Sequence, residues 1–162
     1  MRLKNAGGRA VLLSLAMGLG APAQSAQAGN VAPQANSEAK TANFSTADAA
    51  QVLDRFRQAL ESNNQRGLLK LFDAGRMPDY PAFRNQVAQF FDKFEAFQVQ
   101  YRITQVANEE HVGVILVDFQ LEATPSTPRS PHVRKTVQLR VVLAWDGKQW
   151  KIVDLAPREL FS

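Results

Sequence analysis

Cysteine is absent from the 162-residue chain. That removes structural disulfides, thiolate catalysis and the acylated thiol of a lipoprotein anchor. Histidine is nearly absent, with His111 and His132 the only two. Neither has a second ligand-type residue at helical or strand spacing, and zinc and iron sites take three or four ligands, so no metal site is expected. Glycine and proline number 9 and 8, with no collagen repeat, phosphate-binding loop or dinucleotide fingerprint, so no cofactor is expected. No serine lies in a G-x-S-x-G elbow, which leaves a Ser/His/Asp hydrolase without support. What the chain does have is apolar residues, 45% in all, with ten phenylalanines among them. That suffices for one domain with a core and is too much for a disordered chain.

The excess of basic residues, 19 against 15 acidic, is misleading. Residues 1–28 read as a secretory signal. Arg2, Lys4 and Arg9 form a positive amino-terminal region, and Ala10 to Ala21 is an apolar run too short to cross a bilayer. Ala26-Gln27-Ala28 supplies the small residues of a cleavage site, and Ala21-Pro22-Ala23 is a second candidate. An uncleaved amino-terminal anchor is the alternative. Cleavage removes three basic residues and no acidic one, leaving 16 against 15 and a charge of about +1. Such a balance offers no footprint for nucleic acid, whose binding is driven by phosphate neutralisation. The reading is an exported protein, periplasmic or extracellular, with no stable membrane anchor once the signal is gone.

Residues 29–43 are rich in Ala, Asn and Gln and are expected to form a flexible tether, with the folded domain over 44–162. Ser45 and Asp48 have the spacing of a capping box. Ala49, Val52, Leu53, Phe56 and Leu60 then mark one helical stripe, ended by Asn63-Asn64. A short helical turn is expected over 65–72. A third helix opens at Pro81, where a missing N–H is harmless, and carries Phe83, Val87, Phe90, Phe91 and Phe94. Several Phe along one side read as core, not as a cofactor site.

From Phe97 the period becomes two. Val99, Tyr101 and Ile103 alternate with Gln98, Gln100 and Arg102. His111 to Glu122 is apolar on both faces over most of its length. A Pro-, Ser- and Thr-rich connection runs from Ala123 to Pro131, followed by a strand from Val133 to Trp145 with Val137, Leu139, Val141, Leu143 and Trp145 on one face. Asp146-Gly147 is a hairpin signal, and Gln149 to Leu155 returns. Helices first and long antiparallel strands afterwards predict an α+β fold, helices on one face of a curved sheet.

The helix running into Gly67-Leu-Leu-Lys-Leu-Phe-Asp73 and the closing stretch Trp145-Asp-Gly-Lys-Gln-Trp-Lys-Ile-Val-Asp-Leu155 carry a family resemblance. Over residues 44–162 the chain resembles the nuclear transport factor 2-like (SnoaL-like, ketosteroid isomerase-like) superfamily. The resemblance implies a cone-shaped α+β domain of cystatin-like architecture, N-terminal helices packed on a curved antiparallel sheet around an apolar hollow. It implies no catalytic residue, because the Tyr/Asp set of ketosteroid isomerases has no match position by position, and many activities share such folds.

The candidate site residues come from strand parity. A two- or four-residue hairpin loop at Asp146-Gly147 puts Asp154 on the apolar face beside Ile152 and Trp150, while a three-residue loop reverses it. An inward Asp154 would have a raised pKa and act as general acid or base; the bland alternative is a solvated carboxylate at the sheet end. Tyr101, on the inner face of its strand, is the second acid–base candidate, or else a core residue with its hydroxyl at the rim. Tyr80, Tyr101, Trp150 and Asp154 are the expected ligand-binding residues. Asp118 is placed outward, because Ile115, Val117, Phe119 and Leu121 make the richer face. His132, with Arg129 and Arg134, reads as a solvated basic edge.

Two functions compete. One is a non-enzymatic envelope protein that binds a small apolar ligand or a protein partner through the cone or sheet face, with a homodimer expected because both faces of residues 111–122 need cover. The other is a cofactor-free isomerase, dehydratase or cyclase using Asp154 and Tyr101. The first is preferred, since only one inward polar group is well supported.

Overall fold

The computed structural model describes residues 43–109 and 112–162. The signal, the tether up to residue 42 and the placement of His111 lie outside the described residues. The elements run α1 (Thr46–Glu61), α2 (Gln65–Leu69), α3 (Tyr80–Lys93), β1 (Phe94–Glu109), β2 (Val112–Pro125), β3 (Val133–Trp145), β4 (Trp150–Ala156) and a 3-10 turn (Arg158–Phe161). The strands form one antiparallel sheet in the order β1-β2-β3-β4, with the helices packed on one face. This is the expected α+β architecture.

Local chemistry sets the helix boundaries. Ser45 caps α1: its hydroxyl accepts from the Asp48 N–H at 3.2 Å, and its own N–H donates to the Asp48 carboxylate at 2.9 Å. Two of the donors left without intrahelical partners at the helix start are thereby satisfied. Asn64 caps α2 by accepting from the Gly67 N–H at 2.8 Å. Pro81 occupies the first turn of α3. This helix passes into β1 without a loop, so the strand starts at Phe94 instead of Phe97. β2 continues to Pro125, which shortens the expected Ala123–Pro131 connection to residues 126–132.

The expected hollow is filled. Phe56 of α1, Phe83 and Phe90 of α3 and Phe119 of β2 meet inside the sheet, with Phe72 and Phe97 alongside. Into their midst the 3-10 turn inserts Phe161, whose ring lies 5.5 Å from Phe90, 5.6 Å from Phe83 and 6.2 Å from Phe56. Among the described residues no polar or charged residue is buried.

Candidate functional site

Tyr101 stands on the inner face in the row Tyr101–Phe119–Val137. Its hydroxyl donates to Asp54 of α1 at 2.8 Å, and Asp54 also pairs with Arg57 at 3.1 Å. Desolvation, then the hydrogen bond and negative charge of Asp54, push the phenol up to about 12. A phenol so raised stays protonated at neutral pH and is a poor base; here it ties α1 to β1. Its favourable effect on stability is complete below the ordinary 10.0 and is lost as pH rises toward about 12. With Tyr80 replaced by Phe, phenolate absorbance should report Tyr101 alone. The midpoint should lie near 12 and move part of the way back toward 10.0 in Asp54→Asn, which leaves the desolvation in place; an unmoved midpoint refutes the share assigned to Asp54.

Asp154 is not where the strand alternation puts it. The hairpin loop spans Asp146 to Gln149, which preserves the expected parity, and Leu143 pairs with Ile152. Val153 then bulges, so that Val142 pairs with Asp154 and Val141 with Leu155. The bulge lets Ile152 and Leu155 both face inward and turns Asp154 to the outer face, half-buried, 3.4 Å from Arg158. Burying a leucine is favourable, whereas burying a lone carboxylate is costly.

The four expected ligand residues do not converge. Tyr101 and Asp154 occupy opposite edge strands and opposite faces; their rows also cross β3 at different residues, Val137 and Val142, so three inter-strand steps and a five-residue offset set them on the order of 20 Å apart. Trp150 is covered by Phe44, edge-on at 4.8 Å. Tyr80, half-buried at the start of α3, leans on Phe83 at 6.4 Å.

The outer face divides into two halves. In its polar half Asp118 points outward, as expected, accepting from Arg102 at 2.7 Å and Gln138 at 3.3 Å. The Arg102 hydrogen bond, chiefly, holds its carboxyl below the usual range. Gln100, Arg102, Asp118, Gln120 and Thr136 line a shallow groove of about 220 Å³ there. His132 is exposed and faces the Thr124 hydroxyl at 3.2 Å, beside the exposed Arg134. In the apolar half, the strand register sets Val112 and Val114 of β2 opposite Ala144 and Val142 of β3, with Leu116 opposite Arg140 at its border. Val112, Leu116 and Val142 are partly exposed, and Val114 and Ala144 are buried between them.

Lys135 was not singled out by sequence reasoning. It lies on the inner face opposite Leu121, and its ammonium donates to the main-chain oxygens of Glu159 at 3.1 Å, Leu160 at 3.2 Å and Ser162. Burial, then the nearby Lys93, push its pKa down. The signal was available: Lys135 shares the parity of Val137 and Leu139.

No family model matches the chain, and no curated protein matches it either. Solved structures do. A conserved protein from Planctomyces limnophilus superposes with a TM-score of 0.59 at 12% identity, over 68% of this chain and 92% of its own. A nuclear transport factor 2-like superfamily protein from Salmonella enterica gives 0.58 at 11%, over 67% and 86%. The beta subunit of the benzoate 1,2-dioxygenase from Burkholderia mallei gives 0.53 at 13%, over 70% and 89%. The chain therefore has the nuclear transport factor 2-like fold, a scaffold that carries varied functions.

Proposed function

We propose that this is an exported, non-catalytic binding domain of the cell envelope that associates with a second copy through the apolar half of its outer sheet face. The observation that carries this reading is the interior, where packed aromatic rings stand in the place of an acid–base site. A cofactor-free isomerase or dehydratase requires two polar groups converging in a water-excluded hollow. Tyr101 is committed to Asp54, and Asp154 faces the other way. A small apolar ligand inside the cone would have to displace Phe161, so a protein partner is the better-supported occupant of the two.

The patch suits a two-fold contact because it runs across the two central strands, where a copy of itself can lie face to face. Leu116→Glu should convert a dimer to a monomer, read by light scattering, with unchanged circular dichroism. A wild-type protein that stays monomeric as its concentration rises overturns the proposal.

A further inference from the structure

A net charge near zero conceals how the charge is distributed. Residues 44–162 hold 15 basic and 14 acidic side chains. Six of the basic ones gather on the flank beyond β4: Arg55 of α1, Arg66, Lys70 and Arg76 in and after α2, and Lys148 and Lys151 of the closing hairpin. Main-chain and side-chain contacts bring these segments together. Leu71 to Asp73 run alongside β4, with the Ile152 N–H donating to the Leu71 carbonyl at 2.9 Å. The Lys151 ammonium donates to the Lys70 carbonyl, Arg76 to the Trp145 carbonyl at 3.3 Å, and Arg55 to the Gln149 side chain at 3.5 Å. Residues 64–76 and 146–151 carry two carboxylates, and both are tied up. Asp73 accepts from Arg76 at 2.6 Å, and Asp146 accepts from the Lys148 and Gln149 N–H groups at 2.8 Å. The rest of the domain is left with nine basic residues against twelve acidic ones.

Among the described residues Arg55, Arg66, Lys70 and Lys148 meet no carboxylate, and all four are exposed. Leu69, Leu71 and Trp145, each half-buried, belong to the same flank. The chain also enters the described domain at this end. Phe44 packs edge-on against Trp150 at 4.8 Å, and Trp150 lies 5.7 Å from Trp145. Residues 29–43 span about 50 Å at most, so an uncleaved amino-terminal anchor would hold this end of the domain near a bilayer.

We infer that the flank beyond β4 docks reversibly on a bilayer surface rich in anionic lipid. Each exposed cation held near such a surface strengthens the attachment, and a half-buried tryptophan suits the headgroup level, where one side is apolar and the other wet. The four free cations stand on three separate elements, α1, α2 with the residue after it, and the hairpin. Mobile headgroups can rearrange to match such an array, whereas a folded acidic partner would need its carboxylates at one fixed spacing. The flank is separate from the outer-face patch, and the inference rests neither on the pairing of two copies nor on export.

The test adds the full-length chain to vesicles of equal parts phosphatidylglycerol and phosphatidylcholine, with vesicles of phosphatidylcholine alone as the control. Trp145 and Trp150, the two tryptophans of the chain, both lie at this end and report the contact through quenching by brominated lipid. Binding read this way should be at least about tenfold tighter on the anionic vesicles. It should weaken at least about tenfold between about 50 and about 300 mM salt. Arg66→Gln, Lys70→Gln and Lys148→Gln together should weaken it about 100-fold, about fivefold for each charge, with unchanged circular dichroism. Arg84→Gln, Lys93→Gln and Arg129→Gln together remove as much charge from exposed positions on α3 and the β2–β3 connection. Their effect should stay below about twofold, because those positions lie beyond the reach of a screened charge. Equal binding to the two kinds of vesicle, absence of quenching, or equal losses in the two triple variants overturns the inference. So does capture of soluble polyglutamate while vesicles stay unbound, since an acidic protein would then be the occupant. Self-association without lipid that the first triple variant abolishes overturns it as well, the occupant then being the acidic side of a second copy.

Discussion

Phe161→Ala should lower the stability of the domain by about 3–5 kcal/mol, the upper range for truncating a buried aromatic ring. The ring is 1% exposed and is shared between α1, through Phe56, and α3, through Phe83 and Phe90. Its loss leaves a void walled by other rings and backed by the sheet, and such a site relaxes only in part. The turn that carries it is held by side chains reaching to main-chain oxygens. Gln86 donates to the Arg158 carbonyl at 2.9 Å and Arg158 to the Pro78 carbonyl at 3.0 Å, beside the Lys135 contacts. These keep the turn seated while the ring supplies the burial. Urea unfolding should show a lower midpoint with an unchanged slope. A loss below about 1 kcal/mol, within the range of surface substitutions and small adjustments, means that Phe161 does not fill the interior in solution.

The elements governed by local chemistry were legible in the sequence. Ser45 with Asp48, the Ala49–Leu60 stripe, Pro81 at a helix start and the Val133–Trp145 alternation each encode a boundary or a face through nearby residues alone. The Val153 bulge was not legible, because it settles a competition between Asp154 and Leu155 for one inward position, and parity counting assumes an unbroken strand. The seating of Phe161 was missed for a related reason. A four-residue turn after Pro157 has too few residues to display a period, and its destination depends on a hollow that the rest of the fold creates. The outward placement of Asp118 followed from comparing two faces of one strand. The separation of Tyr101 from Asp154 required strand order and the bulge together.

Gly113→Ala should be destabilising by about 2–3 kcal/mol, an unusual cost for adding one methyl group, and the cost should depend on a residue far away in the chain. Gly113 sits on the inner face between Asn108 of β1 and Leu143 of β3. A Cβ there would overlap the Phe44 ring, with Cε1 at 2.7 Å. Phe44 has little freedom to step aside. Its N–H donates to the Asn108 side-chain oxygen at 3.1 Å, its carbonyl accepts from the Asn108 amide at 2.8 Å, and its ring, 3% exposed, meets Trp150. Alanine at 113 must either strain this clasp or expel the ring, giving up its burial. In a Phe44→Ala background the obstacle is gone, and the backbone preference of Ala over Gly within a strand should make the same substitution stabilising by about 0.5–1 kcal/mol. The double-mutant cycle thus predicts a change of sign, with a coupling energy of about 2.5–4 kcal/mol, at or above the top of the usual range for residues in direct contact. If Gly113→Ala costs the same with and without Phe44, the glycine serves the strand itself, and the clasp at the start of α1 is not what requires it.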